Sequence, residues 1–209
     1  MKRLFYLLFF VFLGLQISQA QDFPSQIWHE GKLYLENGDV LEGKLKYNLE
    51  NNVVQMRDGS IQTYGSSSIR YFEIFDEYYG GIRTFYSLPY AMNGNYKVPI
   101  FFELLMEGED ITLLCREYIT NETRNTGMYS MYMHPMYGPP MMNTTKLAFD
   151  FYFLSEDQII KYNQKKKELL DFMDDRSEEI KLYMRKNRLS HDRRGDLLRI
   201  TAYYNQLKE

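Results

Sequence analysis

Between Ile27 and about Tyr162, apolar and polar residues alternate in short runs separated by turns marked with Gly or Asn. A side-chain period of two is the pattern of half-buried strands. In Val40 to Tyr47, Leu41, Gly43, Leu45 and Tyr47 share one face, while Glu42, Lys44 and Lys46 share the other. Asn37-Gly38 separates this run from Lys32 to Glu36. It predicts a hairpin with a type I′ turn, in which both turn residues take positive φ. Val53 to Arg57 and Ser60 to Tyr64 flank a second hairpin signal, Asp58-Gly59, and Ile69 to Phe75 follows the turn Gly65-Ser66-Ser67-Ser68. Past the Tyr/Gly-rich link Tyr78 to Gly81, further strands are predicted at Ile82 to Tyr86, Tyr96 to Leu105 and Ile111 to Ile119. Leu147 to Leu154 alternates in the same way, with Leu147, Phe149, Phe151 and Phe153 on one face.

Ser155-Glu156-Asp157-Gln158 fits a capping box, but it also fits a turn that returns the chain as a strand through Ile159, Ile160 and Tyr162; the turn is the reading adopted. From Gln164 the period becomes helical. Lys165 to Met173 forms one short helix; Asp175-Arg176-Ser177-Glu178 is placed to cap a second, with Ile180, Tyr183 and Met184 on its apolar stripe. Ser190 is placed to cap a third, with Leu197, Ile200, Thr201 and Tyr204 inward. The fold class is therefore α+β: an antiparallel β-rich body, a small barrel or curled sheet, followed by two or three short C-terminal helices.

The start of the chain changes the picture of where this body works. Lys2 and Arg3 precede an apolar run from Leu4 to Leu15, and Gln16 to Ala20 ends in Ser18-Gln19-Ala20. These are the parts of a cleavable signal peptide, and the run is shorter than the roughly 20 residues a spanning helix needs. The expected organisation is a signal peptide at 1–20, a β-rich domain at 21–162 with a Met-rich loop at 127–142, and a helical segment at 163–209. The expected location is the periplasm or the outer envelope, with no transmembrane segment in the mature chain. Removing the first 20 residues takes two of the 25 basic residues and none of the 28 acidic ones, leaving 189 residues of net charge −5. Within that, residues 21–155 carry −7 and residues 156–209 carry +2. A mildly acidic chain without a dense basic stripe is not a nucleic-acid binder. The run Lys165-Lys166-Lys167 reads first as a solvated helix face, and second as a membrane-surface or partner patch. Cys115 is the one cysteine, so no intramolecular disulfide forms; it falls on the side of Ile111 and Leu113 and is expected to be a buried, unreactive thiol.

Reactive groups do not converge along the sequence. His29, His134 and His191 have no partners at metal-ligand spacing, and there is no H-E-x-x-H, C-x-x-C, G-x-S-x-G or phosphate-binding glycine loop. Glu103, Glu107 and Glu117 read as solvent-facing strand and turn positions. No catalytic, cofactor-binding or metal residue is assigned, and no cofactor is expected. The segment Gly127 to Met142, "GMYSMYMHPMYGPPMM", stands apart: Met128, Met131, Met133, Met136, Met141 and Met142 crowd around His134. Thioethers favour Cu(I), whereas the plainer reading is an adaptable contact loop. Pro135, Pro139 and Pro140 exclude a regular helix or central strand there.

Three stretches carry a resemblance: residues 31–76, "FFELLMEGEDITLLCRE" at 101–117, and residues 165–207 with the terminal "YYN" of Tyr203-Tyr204-Asn205. Together they resemble a group of small, largely uncharacterised exported proteins of Bacteroidetes. The resemblance implies a Gram-negative envelope location and a strand-rich body with a helical tail, and it transfers no site residues. The function expected is a non-catalytic exported binding or structural module whose partner is an envelope protein or ligand. The alternative is a periplasmic Cu(I)-binding protein using the Met-rich loop, and a third reading is a hydrolase with a site invisible in sequence.

Overall fold

The computed structural model describes residues 22–92, 94–125 and 141–208. Ten strands form one antiparallel sheet: β1 (His29–Leu35), β2 (Val40–Asn48), β3 (Val53–Asp58), β4 (Ser60–Gly65), β5 (Ile69–Asp76), β6 (Gly81–Tyr90), β7 (Val98–Met106), β8 (Thr112–Asn125), β9 (Met141–Ser155) and β10 (Gln158–Tyr162). Three helices follow, which we call α1 (Lys166–Phe172), α2 (Ser177–Asn187) and α3 (Arg194–Lys208). The strand order is β10-β9-β8-β7-β6-β5-β1-β2-β3-β4, and the sheet is open rather than a closed barrel.

The open sheet nevertheless curls. Tyr47 on β2 and Glu117 on β8 are five strands apart in this order, roughly 24 Å across a flat sheet at about 4.8 Å per strand. Yet the Tyr47 hydroxyl donates a hydrogen bond to the Glu117 carboxylate. The turn between β2 and β3 makes the same crossing. β7 and β8 pair from Glu103 to Met106. Beyond that, the Phe101 N–H donates to Asn52 Oδ1 at 3.1 Å, and the Phe101 carbonyl accepts from Arg116 at 2.5 Å. Arg116 also donates to the Leu49 carbonyl, so the β2–β3 turn is fastened where β7 and β8 part. Asn52 holds this turn with a left-handed φ of 52°.

The inner face of the sheet carries two apolar cores. Leu33, Leu45, Phe72, Ile74, Phe85 and Phe101 form one within the curl. The other lies where Leu113, Cys115, Phe151 and Phe153 meet Leu169, Ile180, Met184, Leu197, Ile200 and Tyr204 of the helices, so the helical tail is docked on the sheet. Cys115 is fully buried within it, and burial pushes its thiol well above the ordinary range. Asn205 donates from its side chain to the Ile111 carbonyl at 2.9 Å, seating α3 against the β7–β8 turn at Gly108.

Local details depart from the sequence expectations. Asn37 does not take positive φ; the Gly38 N–H returns to the Leu35 carbonyl at 3.1 Å, and Gly38 alone is left-handed at φ 92°. This is a turn centred on Glu36-Asn37 followed by a glycine bulge, not a type I′ turn. The two-residue turn with both φ positive lies instead at Glu156 (47°) and Asp157 (60°), between the paired residues Ser155 and Gln158. The turn-and-return reading of 155–162 holds there. The proposed helix caps do not form: Asp175 pairs with Tyr204 and Lys208, and Ser190 bonds Asp192, while α3 begins only at Arg194. β9 starts at Met141, so Met141 and Met142 belong to a strand; Met128, Met131, Met133, His134 and Met136 lie outside the described residues.

Candidate functional site

Between the two apolar cores, the same sheet face becomes ionic. Register puts Arg83 on β6 beside Phe85, Glu103 on β7 opposite Phe85, and Glu117 on β8 two residues from Cys115. Asp76 ends β5 two residues beyond Ile74, the register partner of Arg83, and so on the same face. Asp76, Arg83, Glu103 and Glu117 are all buried. This corrects the solvent-facing reading of Glu103 and Glu117; Glu107, in the β7–β8 turn, is exposed as expected. Curling of the sheet closes over these positions, so a charged side chain on the inner face has no route to water and must find a partner.

Arg83 supplies that partner with its five N–H donors, all occupied. Nε and one Nη meet the two oxygens of Glu103 at 2.8 and 2.9 Å. The remaining bonds go to Asp76 at 2.8 Å, to Glu117 at 2.9 Å and to the Tyr47 hydroxyl oxygen at 2.9 Å. Each carboxylate oxygen is also occupied. The second oxygen of Asp76 accepts from the Tyr78 N–H at 2.9 Å, and that of Glu117 accepts from Tyr47. Glu103 additionally accepts from Arg194 at the start of α3. Burial opposes the charge on Arg83, but the bonds and charge of Glu103, with Tyr47 and Glu117, outweigh it and raise its pKa. Burial pushes the Glu117 carboxyl above the usual carboxylate range, against the pull of Arg83 and the Tyr47 hydroxyl. Two guanidiniums therefore face three carboxylates, and Glu117 is the one displaced toward holding a proton.

The Tyr79 ring packs against both cations, 4.7 Å from the Arg83 guanidinium and 4.3 Å from that of Arg194. On its outer side a groove of ≈ 530 Å³ opens, walled by Phe23, Tyr78, Tyr79, Leu147 and Phe149 and edged by Arg194. The Arg194 Nε is buried at this edge and has no hydrogen-bond partner among the described residues. An aromatic wall beside a guanidinium suits an apolar or aromatic body that bears an anionic group.

The histidines stand apart from the cluster. His29 Nε2 lies 2.7 Å from the Pro24 carbonyl, pinning the N-terminal turn to β1, and His191 Nδ1 lies 3.2 Å from the Tyr162 hydroxyl. His134 is outside the described residues. Among the described residues, no group of three or more His, Cys, Asp or Glu is arranged to hold a metal ion. No described helix is long and apolar enough to cross a membrane. The class defined is thus an open, curled antiparallel sheet with a helical tail and, beneath an aromatic groove, an ion cluster in which Arg83 and the three carboxylates are fully hydrogen-bonded. No protein-family model, curated protein or solved structure matches the chain.

Proposed function

We propose that this chain is a non-catalytic, exported binding module of a Gram-negative cell envelope, and that the groove beside Tyr79 is where it binds. One observation carries the reading. Every carboxylate oxygen of Asp76, Glu103 and Glu117 already accepts a hydrogen bond, and Arg83 has no donor left. Groups so fully matched shape and rigidify a wall; an acid or base needs an oxygen free to meet its substrate. The exposed aromatic groove is what that wall presents. Its ligand is an apolar or aromatic group carrying a carboxylate, sulfonate or phosphate, from a small molecule or a partner chain.

Mild crosslinking in the native envelope, followed by mass spectrometry of the crosslinked peptides, tests this reading. Adducts are expected on residues 78–79 and 145–149 and should be lost in Tyr78→Ala, whose side chain is exposed and outside the cluster. Adducts spread over other surfaces, or unaffected by Tyr78→Ala, refute it. The same preparation tests export, since the mature protein should begin at Gln21.

A second reading concerns the Met-rich segment. β8 and β9 run 14 and 15 residues and pair as far as Asn125 and Met141, so both ends of residues 126–140 leave one hairpin tip. Several thioethers tethered at one point suit Cu(I). Titration of wild type and of a variant with Met128, Met131, Met133 and Met136 changed to Leu, against a competing chelator, decides it. Equal affinities return the segment to a contact role.

A further inference from the structure

A second groove lies on the helical tail, far from Tyr79 in the chain and built from different chemistry. Lys166 of α1 and Lys181, Arg185 and Arg188 of α2 converge on a concavity of ≈ 740 Å³, with Glu178 at its margin. Among the described residues Lys181 is paired with Glu178, while Lys166, Arg185 and Arg188 form no ion pair. Lys181 and Arg185 stand at i and i+4 on one side of α2, and Arg188, just past its end, lines the same concavity. Arg188 occupies the left-handed position after the helix, φ 54°, where glycine is favoured, and its backbone N–H closes onto Arg185 and Met184. Beside this row stands Leu182, 54% exposed, although the apolar residues Ile180 and Met184 of the same helix are buried.

We infer that this face docks on the headgroups of an anionic lipid surface. Four cations with one carboxylate between them are complementary to a layer of phosphates. A protruding leucine flanked by cations is the arrangement by which a surface helix lowers an apolar side chain among headgroups while its basic neighbours reach the phosphates. The charge of the rest of the chain agrees: residues 21–155 carry a net −7 against +2 for residues 156–209, so an anionic surface attracts the tail and repels the body. Bound this way, the protein lies with α1 and α2 against the lipid.

Sedimentation of the mature chain with vesicles tests the inference. Vesicles of mixed phosphatidylglycerol and phosphatidylcholine are compared with phosphatidylcholine alone, at low and high salt. Binding is expected to the anionic vesicles, to weaken as salt rises, and to be absent on the neutral ones. Each basic residue near such a surface contributes about fivefold, so Lys166→Gln/Arg185→Gln/Arg188→Gln is expected to bind on the order of 100-fold more weakly. These side chains are exposed, and an unchanged circular dichroism spectrum checks that the variant is folded. Leu182→Ser should weaken binding while keeping the salt dependence. Equal binding by wild type and the triple variant, or no binding to anionic vesicles at low salt, overturns the inference. So does binding of polyglutamate without binding of vesicles, which assigns the groove to an acidic protein partner.

Discussion

Replacing Arg83 by Met keeps much of the apolar length of the side chain and removes the one group that all three buried carboxylates share. Glu103 would retain Arg194, and Glu117 would retain the Tyr47 hydroxyl. Asp76 would retain only the Tyr78 N–H, with a side chain that is 0% exposed. Removing one partner of a buried ion pair costs about 3–5 kcal/mol. A second route gives the same size: a carboxyl with an ordinary pKa near 4 that must take a proton to stay buried costs about 4 kcal/mol at pH 7, at about 1.4 kcal/mol per pH unit. The two routes also predict how the loss changes with acidity. The folded variant binds a proton that its unfolded chain releases, so its stability falls as pH rises. Urea unfolding at pH 7 should therefore show Arg83→Met destabilised by about 4 kcal/mol, a drop in Tm on the order of 10 °C. At pH 5 the deficit against wild type should shrink to about 1–2 kcal/mol. A deficit below about 1 kcal/mol at pH 7, or one independent of pH, would falsify the account of a cluster organised by Arg83.

The raised pKa of Glu117 gives a matched test with the wild-type cluster. Its contribution is fully present below the ordinary carboxylate value and lost as pH rises through the folded value. The stability of wild type minus that of Glu117→Gln should thus decrease between pH 4.5 and 7; a flat or rising difference contradicts the assignment. At the β9–β10 turn, Asp157→Gly relieves a left-handed non-glycine residue and should raise stability by about 1 kcal/mol in thermal melts, whereas Asp157→Val should lower it. At Gly108, a Cβ would sit 1.9 Å from the Asn205 side-chain nitrogen. Gly108→Ala should cost about 1–3 kcal/mol and expose α3 to limited proteolysis, and adding Asn205→Ala should restore part of the loss.

Much of this architecture could be read from periodicity, because strands and helices obey different side-chain periods and a docked helix must bury one stripe. Ile180, Met184, Leu197, Ile200, Thr201 and Tyr204 are buried where the helical period put them. The ion cluster was legible in position but not in role. Period two placed Glu117 on the face of Ile111, Leu113 and Cys115, and Arg83 two residues before Phe85. Their charge nevertheless argued for water, since an unpaired buried charge is prohibitive and no sequence shows that a partner lies across a curl. Arg194 had no local signal, being 91 residues from Glu103. The hairpin at Gly38 shows a finer limit: the glycine marked the turn, while strand register decided which residues took the unusual dihedrals. Likewise, Asn205 is the "YYN" residue that grips the Ile111 carbonyl, a role its motif alone did not disclose.

The contacts that close this sheet have a consequence for the order in which the chain folds. Leu49 with Arg116, Tyr47 with Glu117, Glu103 with Arg194, and Ile111 with Asn205 are separated by 67, 70, 91 and 94 residues. Each requires a long loop to close before any enthalpy is returned, which places this topology among slow folders. Two of the four await the last helix, and until it arrives the core around Leu113, Phe151 and Phe153 lacks Leu197, Ile200 and Tyr204. A nascent chain still missing its final residues therefore holds the core within the curl but leaves the second core unfinished. Its final stability therefore arrives only with the last helix, late in synthesis, when Leu197, Ile200 and Tyr204 close the second core.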